Sequence, residues 1–504
     1  MVTIKTETDE KHQKNKTRTI TISPITRLEG EGKISIFLDE QGNVDNAYFQ
    51  VVEHRGFERF CQGRLIEEMP VITPKLCGVC PWAHHMASAK ALDSAFGVEP
   101  TETAKKIREL VYCAHTIHSH IAHFFALSMP DFIIGSDAEP AKRNILGIAG
   151  VAPELALEAI KHRGNMQKIQ EMIGGSATYP VCALPGGVSK AIDEDERKKI
   201  EKAGKEVIEF CKKSTKFFED SVLKNKEYKD MIMGDTFYNE TYYMSVVDKN
   251  NQMNLYDGDV RIVNPKGEEF AKFKPKDYLD HIEEHVEDWS YMKFAYLKKV
   301  GWKGLVDGPN SGVVRVNSLA RLNASAGLPT PLAQEAYDAM YNALVGKGKR
   351  IAHNTLAFNW ARLVEMMYAS ERMLELSQNK DITKKDVRIK TGNPKGAGIG
   401  IVEAPRGTLI HHYEPDEKGR LKNINLIVAT GFNNAGICIS VKKAAASLIK
   451  NWKVNNGLLN TVEMAFRAYD PCLACATHSL PGQMPMEITI YDNLGKIHKT
   501  IRRA

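Results

Sequence analysis

Two Cys-x-x-Cys pairs carry most of the chemistry in this sequence: Cys77-Gly-Val-Cys80 toward one end of the chain and Cys472-Leu-Ala-Cys475 toward the other. Nine cysteines scattered at random over 504 residues would give that spacing well under once. Thiols three residues apart suit a soft metal or a redox dithiol. A structural zinc knot keeps its pairs within roughly a few tens of residues, whereas most of the chain separates these. Neither pair sits in the strand-helix-strand pattern of a thioredoxin-like dithiol. What remains is one four-thiolate site for zinc, an iron-sulfur cluster, or iron and nickel. Such a site draws both ends of the chain together and argues for one large integrated domain.

The elements that must position these pairs are mostly helical. After a polar stretch over residues 1–18, Thr19 to Ile25 alternates apolar and polar residues, and Lys33 to Val52 reads as a hairpin around the turn at 40–43. Apolar residues then recur at helical spacing over 82–96, 102–127, 152–173, 193–223, 331–344 and 351–376, with Pro and Gly between the runs. Residues 242–273 hold three short alternating runs, as in a β-meander inserted in the helical body. The expected fold is mainly α with smaller β parts: a large helical core, an N-terminal β-hairpin sheet and the inserted meander. Only residues 1–18 and 479–504 read as linker-like.

Composition excludes several classes. The 68 Lys and Arg against 62 Asp and Glu leave a formal charge of +6, too small for a strongly basic nucleic-acid binder. No stretch approaches the roughly 18 apolar residues that span a bilayer, and the N-terminal stretch lacks the apolar core of a secretory signal, so no membrane span and a cytoplasmic location are expected. Thiols stay reduced there. Cys61, Cys113, Cys182, Cys211 and Cys438 are then most simply small buried apolar residues.

Further motifs surround the pairs: Arg27-Leu-Glu-Gly30, Arg55-Gly-Phe-Glu58, the run from Leu76 through Cys80-Pro-Trp-Ala to His84, Ala404-Pro-Arg-Gly407, and Asp470-Pro-Cys-Leu-Ala-Cys-Ala-Thr-His478. In that order they resemble the large, catalytic subunit of nickel-iron hydrogenases, from about Thr19 to the end. Ser119 in Ile117-His-Ser-His-Ile-Ala-His-Phe124, the run Val428-Ala-Thr-Gly431 and the meander look most like the cytoplasmic, multimeric branch, which includes heterodisulfide-reductase-linked and NAD(P)-linked enzymes.

The resemblance implies a set of roles. Cys77 and Cys472 are terminal on nickel, and Cys80 and Cys475 bridge nickel to an iron that carries carbon monoxide and cyanide. Pro405 and Thr430 lie in the segments that would cage those ligands. His84 hydrogen-bonds a bridging sulfur, Glu29 takes protons from the terminal cysteine, and Arg406, held by Asp470, overhangs the open metal position. Glu58 and His478 bind magnesium away from the redox metals. The histidines at 115, 118, 120 and 123 serve packing and hydrogen bonding beside the site. Lys75 and Glu31 depart from the family pattern, outside the ligand set.

Function and partners follow from the same resemblance. Dihydrogen is split reversibly into protons and electrons, which pass to an iron-sulfur small subunit. Further flavin or iron-sulfur subunits carry them to NAD(P), ferredoxin or a heterodisulfide system. A maturation protease removes 479–504 after His478. The competing reading is a hydrogenase-derived structural or quinone-binding subunit of a respiratory-type complex, a descendant that has lost the nickel cysteines, all four of which stand here.

Overall fold

The computed structural model describes residues 2–5, 18–348, 351–477, 486–492, 494 and 496–503. Strands β1 (Val2–Lys5), β2 (Arg18–Ile22), β3 (Gly32–Leu38) and β4 (Val44–Val51) form one antiparallel sheet in sequence order. The expected hairpin is β3–β4. Its turn is closed by Asp39, whose carboxylate accepts the Gln41 and Asn43 amides at 3.0 and 2.8 Å. Ile34, Ile36, Phe49 and Val51 alternate inward, so one face of the sheet is core. Val2–Lys5 pairs with β2, giving strand structure inside the stretch expected to be linker-like.

Helix α1 (Pro81–Phe96) follows, with Pro81 at its first position, where the missing N–H leaves no bond unmade. Helix α2 (Glu102–Ala122) starts at Thr101, whose hydroxyl accepts the Ala104 amide at 3.2 Å, and it continues into a π-helical turn over His123–Ser128. Helices α3 (Pro153–Gly174) and α4 (Glu194–Phe218) come next, the latter opened by a capping box of Asp193 and Glu196. With α6 (Phe358–Gln378), helices α2, α3 and α4 form a ring in which each packs on two others. Their apolar sides make the main core.

The meander is present as β5 (Tyr242–Val247), β6 (Asp259–Val263) and β7 (Glu269–Phe273), extended by β8 (Val314–Arg315), which runs parallel to β5. Between β8 and α6 lie a short buried helix over Ser318–Ala324 and the amphipathic α5 (Pro331–Leu344).

Three elements carry no periodic signal in the sequence. Strands β9 (Gly398–Ala404) and β10 (Gly407–Pro415), with β11 (Leu421–Ile427), form an antiparallel sheet whose first two strands are buried on both faces, which erases the alternation. Helix α7 (Ala429–Leu448) is enclosed for most of its length and has no polar stripe. It packs on β4 and on α8 (Asn456–Arg467), joining the N-terminal sheet to the C-terminal helices. Beyond α8 come the short α9 (Leu473–Ala476) and an antiparallel pair, Met486–Tyr491 with Ile497–Arg503, where a linker was expected.

Strand β9 lies unusually close to α1. A Cβ on Gly400 would stand 2.0 Å from the Ala87 carbonyl oxygen, so only glycine lets strand and helix backbones meet. That contact brings the start of α1, with Cys80 and His84, beside the β9–β10 turn, which carries Pro405 and Arg406.

Candidate metal centre

Both cysteine pairs sit at helix starts. Cys80 precedes the first residue of α1 and Cys472 that of α9. The Val79 and Cys80 amides point at the Cys77 sulfur, at 3.2 and 3.3 Å. The second pair is held against the N-terminal part of the chain, where the Glu29 carbonyl accepts the Leu473 amide at 2.9 Å. Arg55 ties the two segments together: its amide donates to the Thr477 carbonyl at 3.0 Å and its guanidinium to the Leu76 carbonyl at 2.6 Å.

The four sulfurs converge. Cys77 and Cys472 are 3.0 Å apart, Cys80 and Cys475 3.3 Å, Cys472 and Cys475 2.9 Å, and all four lie within 4.8 Å of one another in the buried interior. Among the described residues they form the one cluster of three or more His, Cys, Asp or Glu side chains close enough to share an ion. Soft donors in a dry pocket fit soft transition metals. Burial opposes ionisation of Cys77, but hydrogen bonds from the Cys472, Cys475 and Cys80 thiols outweigh it and pull the Cys77 pKa well down. Burial holds Cys472 and Cys475 well above the usual thiol range. A metal must therefore displace protons from this pocket.

Glu29, half-buried, stands on one side. Its Oε2 lies 3.0 Å from the Cys472 sulfur and accepts the Ala474 amide at 3.0 Å. Burial, then the Cys77 charge, raises its pKa. Arg27, two residues before Glu29, pairs with Asp131. Arg406 stands on the other side in the two-residue β9–β10 turn. That turn needs Gly407, whose φ is +125° and where a Cβ would meet Val316 Cγ2 at 2.2 Å. Arg406 donates to Asp470 Oδ1 at 2.9 Å, and Asp470 itself takes a left-handed φ of 54°. Burial works against the Arg406 charge, but Asp470 and then the Cys472, Cys80 and Cys77 sulfurs more than offset it, so its pKa stays well above the ordinary guanidinium value. Arg406 Nε and Nη1 and Asp470 Oδ2 are buried without hydrogen-bond partners, as expected of groups built to face a ligand.

His84 Nε2 lies 3.3 Å from the Cys475 sulfur. Thr430, in the first turn of α7, accepts the Cys472 amide at 3.1 Å. The Pro405 carbonyl accepts from Arg321 at 3.2 Å. Arg321 is a residue that sequence reasoning missed. Fully buried, it pairs with Glu365 and Glu403 and also donates to the Ala404 carbonyl, so it fixes the turn that aims Arg406. Arg362, also buried, donates to Asn317 and to the Ala468 carbonyl, and burial lowers its pKa to about 10. No spacing rule marks either arginine, because their partners come from distant segments.

Other expected residues fall elsewhere or outside the described set. Glu58 accepts the Leu426 amide at 2.8 Å, away from the sulfurs, and His478 lies outside the described residues. His120 pairs with Glu365 at 3.0 Å and His123 donates to the Arg467 carbonyl at 2.7 Å. Burial presses His115 and His118 down to about 3, so both are neutral. Cys61, Cys182, Cys211 and Cys438 are buried thiols pushed up to about 12, and Cys113 rises further.

The profile of the nickel-dependent hydrogenases matches residues 55–145 and 293–478, and a HoxL-like profile matches 19–54. The chain belongs to the nickel-dependent hydrogenase family. An iron-sulfur subunit of the F420-non-reducing hydrogenase of Archaeoglobus profundus is 48% identical, over 96% of this chain and 99% of its own length. The beta subunit of the NAD-reducing hydrogenase HoxS of Cupriavidus necator is 36% identical, over 95% of this chain and 98% of its own length. A crystal structure of an NAD+-reducing NiFe hydrogenase in the H2-reduced state superposes with a TM-score of 0.86 at 37% identity, over 92% of this chain and all of that one. The Ni-Fe-Se hydrogenase of D. vulgaris Hildenborough, 23% identical with a TM-score of 0.73 over 92% of this chain, shares the fold. The chain is thus the catalytic large subunit of a nickel-iron hydrogenase, its four cysteines clustered as a nickel site requires, and it is one component of a larger assembly. No helix among the described residues is long and apolar enough to cross a membrane.

Proposed function

We propose that this hydrogenase subunit works in the cytoplasm, cleaving dihydrogen heterolytically and reversibly and passing electrons to the iron-sulfur clusters of a partner small subunit. The observation that carries the reading is the convergence of four buried sulfurs between Glu29 and Arg406. Nickel and iron bound there supply the acceptor for the electron pair of dihydrogen. Cys77 and Cys472 would serve nickel, and Cys80 and Cys475 would serve nickel and iron together. The unpartnered Arg406 nitrogens, the Pro405 turn and the Thr430 hydroxyl suit carbon monoxide and cyanide on the iron. Arg406 keeps its positive charge over the site, held by Asp470, and Glu29 takes the proton from the Cys472 sulfur toward the surface. Glu58 with His478 holds magnesium, for which carboxylate oxygen is the fitting donor.

Downstream subunits with flavin or iron-sulfur centres deliver electrons to NAD(P), ferredoxin or a heterodisulfide system, in line with relatives named F420-non-reducing and NAD-reducing. A maturation protease cuts after His478 and releases 479–504. A structural or quinone-binding descendant would have no use for four converging thiols. The test is anaerobic purification of the complex followed by metal analysis, infrared spectroscopy and intact mass. Nickel, iron, carbon monoxide and cyanide stretching bands, and a chain ending at His478 are expected. Metal-loaded protein without those bands would overturn the reading.

A further inference from the structure

A line of buried groups leads away from the Cys475 sulfur. His84 Nε2 lies 3.3 Å from that sulfur, and His84 Nδ1 is 3.1 Å from His411 Nε2. His411 Nδ1 is 2.7 Å from the Tyr413 hydroxyl, which lies 2.9 Å from Ser88 Oγ. All four side chains are essentially without solvent contact. Two periodicities build the line: His84 and Ser88 are one turn apart on α1, and His411 and Tyr413 are two apart on β10, on the same face. His412, between them, points the other way and meets the Tyr278 hydroxyl at 3.0 Å.

We infer that His411 and Tyr413 are positioning residues that act through His84 on the Cys475 sulfur, by fixing which nitrogen of each imidazole carries its proton. The inference rests on the proposed role of Cys475 as a metal ligand. Each middle group has one proton to give and one site that accepts, so the direction of one bond sets all the others.

A metal-bound cysteine has no proton and can only accept. A bare His84 Nε2 would set a nitrogen lone pair against a sulfur lone pair in the dry interior. His84 Nε2 therefore donates to the sulfur, His84 Nδ1 accepts from His411 Nε2, and His411 Nδ1 accepts from the Tyr413 hydroxyl. In the loaded enzyme the line thus ends in an N–H directed at the sulfur, which withdraws electron density from the metals.

Nitrogen NMR of histidine-labelled full-length chain reads the tautomers directly. In the loaded protein both His84 and His411 are expected as Nε2–H; an Nδ1–H tautomer on either one overturns the inference. Infrared spectra of the loaded complex give the second readout. Tyr413→Phe and His411→Gln should keep nickel and iron content but move the carbon monoxide band to lower wavenumber, while His412→Asn leaves it in place. Unmoved bands in both variants, with metals present, would refute the positioning role. Absence of bands in the parent complex would instead overturn the proposed function, and this inference with it.

Discussion

The Glu29 carboxylate meets the Cys472 sulfur at 3.0 Å, and the same oxygen holds the Ala474 amide. A carboxyl with a raised pKa against a buried thiol is placed to accept its proton and pass it outward. Glu29→Gln keeps the size and the amide contact but cannot be protonated. We expect intact metals and a turnover loss of about 100-fold or more, the usual reach of a lost acid-base group. Dye reduction under hydrogen, with metal analysis beside it, checks this; undiminished turnover would remove Glu29 from the proton path.

Arg406 offers its metal-side nitrogens in a fixed plane while Asp470 holds the rest. Lysine supplies charge without that plane. Arg406→Lys should bind nickel and iron normally and turn over roughly 100- to 1,000-fold more slowly, the range for removing one preorganised donor. Normal turnover with normal metal content would contradict the placement.

Arg321→Met tests the support beneath the turn. It would leave Glu365 and Glu403 buried without their shared cation, and Ala404 and Pro405 would lose a donor. The expected loss is about 3–5 kcal/mol of stability, read from denaturant unfolding. The Arg321→Met, Glu403→Gln double variant should recover part of it.

His85 makes stability depend on pH. Its Nδ1 donates to the Pro70 carbonyl at 2.6 Å and its Nε2 accepts the Ala183 amide at 2.8 Å, so the fold requires the neutral ring. Burial lowers its pKa from 6.5 to about 4. The unfolded chain therefore takes up the proton first. The stabilisation is complete above pH 6.5 and is lost as pH falls from there toward 4, on the order of 3 kcal/mol for this residue. Urea unfolding at pH 7 and pH 4.5 should show a smaller pH effect in His85→Asn than in the parent; equal slopes would show that His85 carries none of the dependence.

The sequence makes the four cysteines and two of their neighbours readable because these residues lie close together in short motifs at helix starts: Cys77 and Cys80 with His84, and Cys472 and Cys475 with Asp470. Glu29 and Arg406 are legible only within the whole constellation. Arg321, Glu365, Glu403 and Arg362 are not legible at all, since a charged residue in an apolar stretch does not reveal the partner that neutralises it. His411 and Tyr413 hide in the same way, in a strand enclosed on both faces. The long amphipathic helices declare themselves through their polar sides, which α7 lacks.

The pairing of Cys77 with Cys472 joins residues 395 apart in sequence. Few contacts could be less local, and closing so long a loop is a late and entropically unfavourable event in folding. A nascent chain that has exposed Cys77 and Cys80 offers a metal two thiols; the full set exists only after nearly all the sequence has been synthesised and α9 has docked against Glu29. A truncated or misdocked chain therefore presents half a site, two thiols where metal binding calls for four.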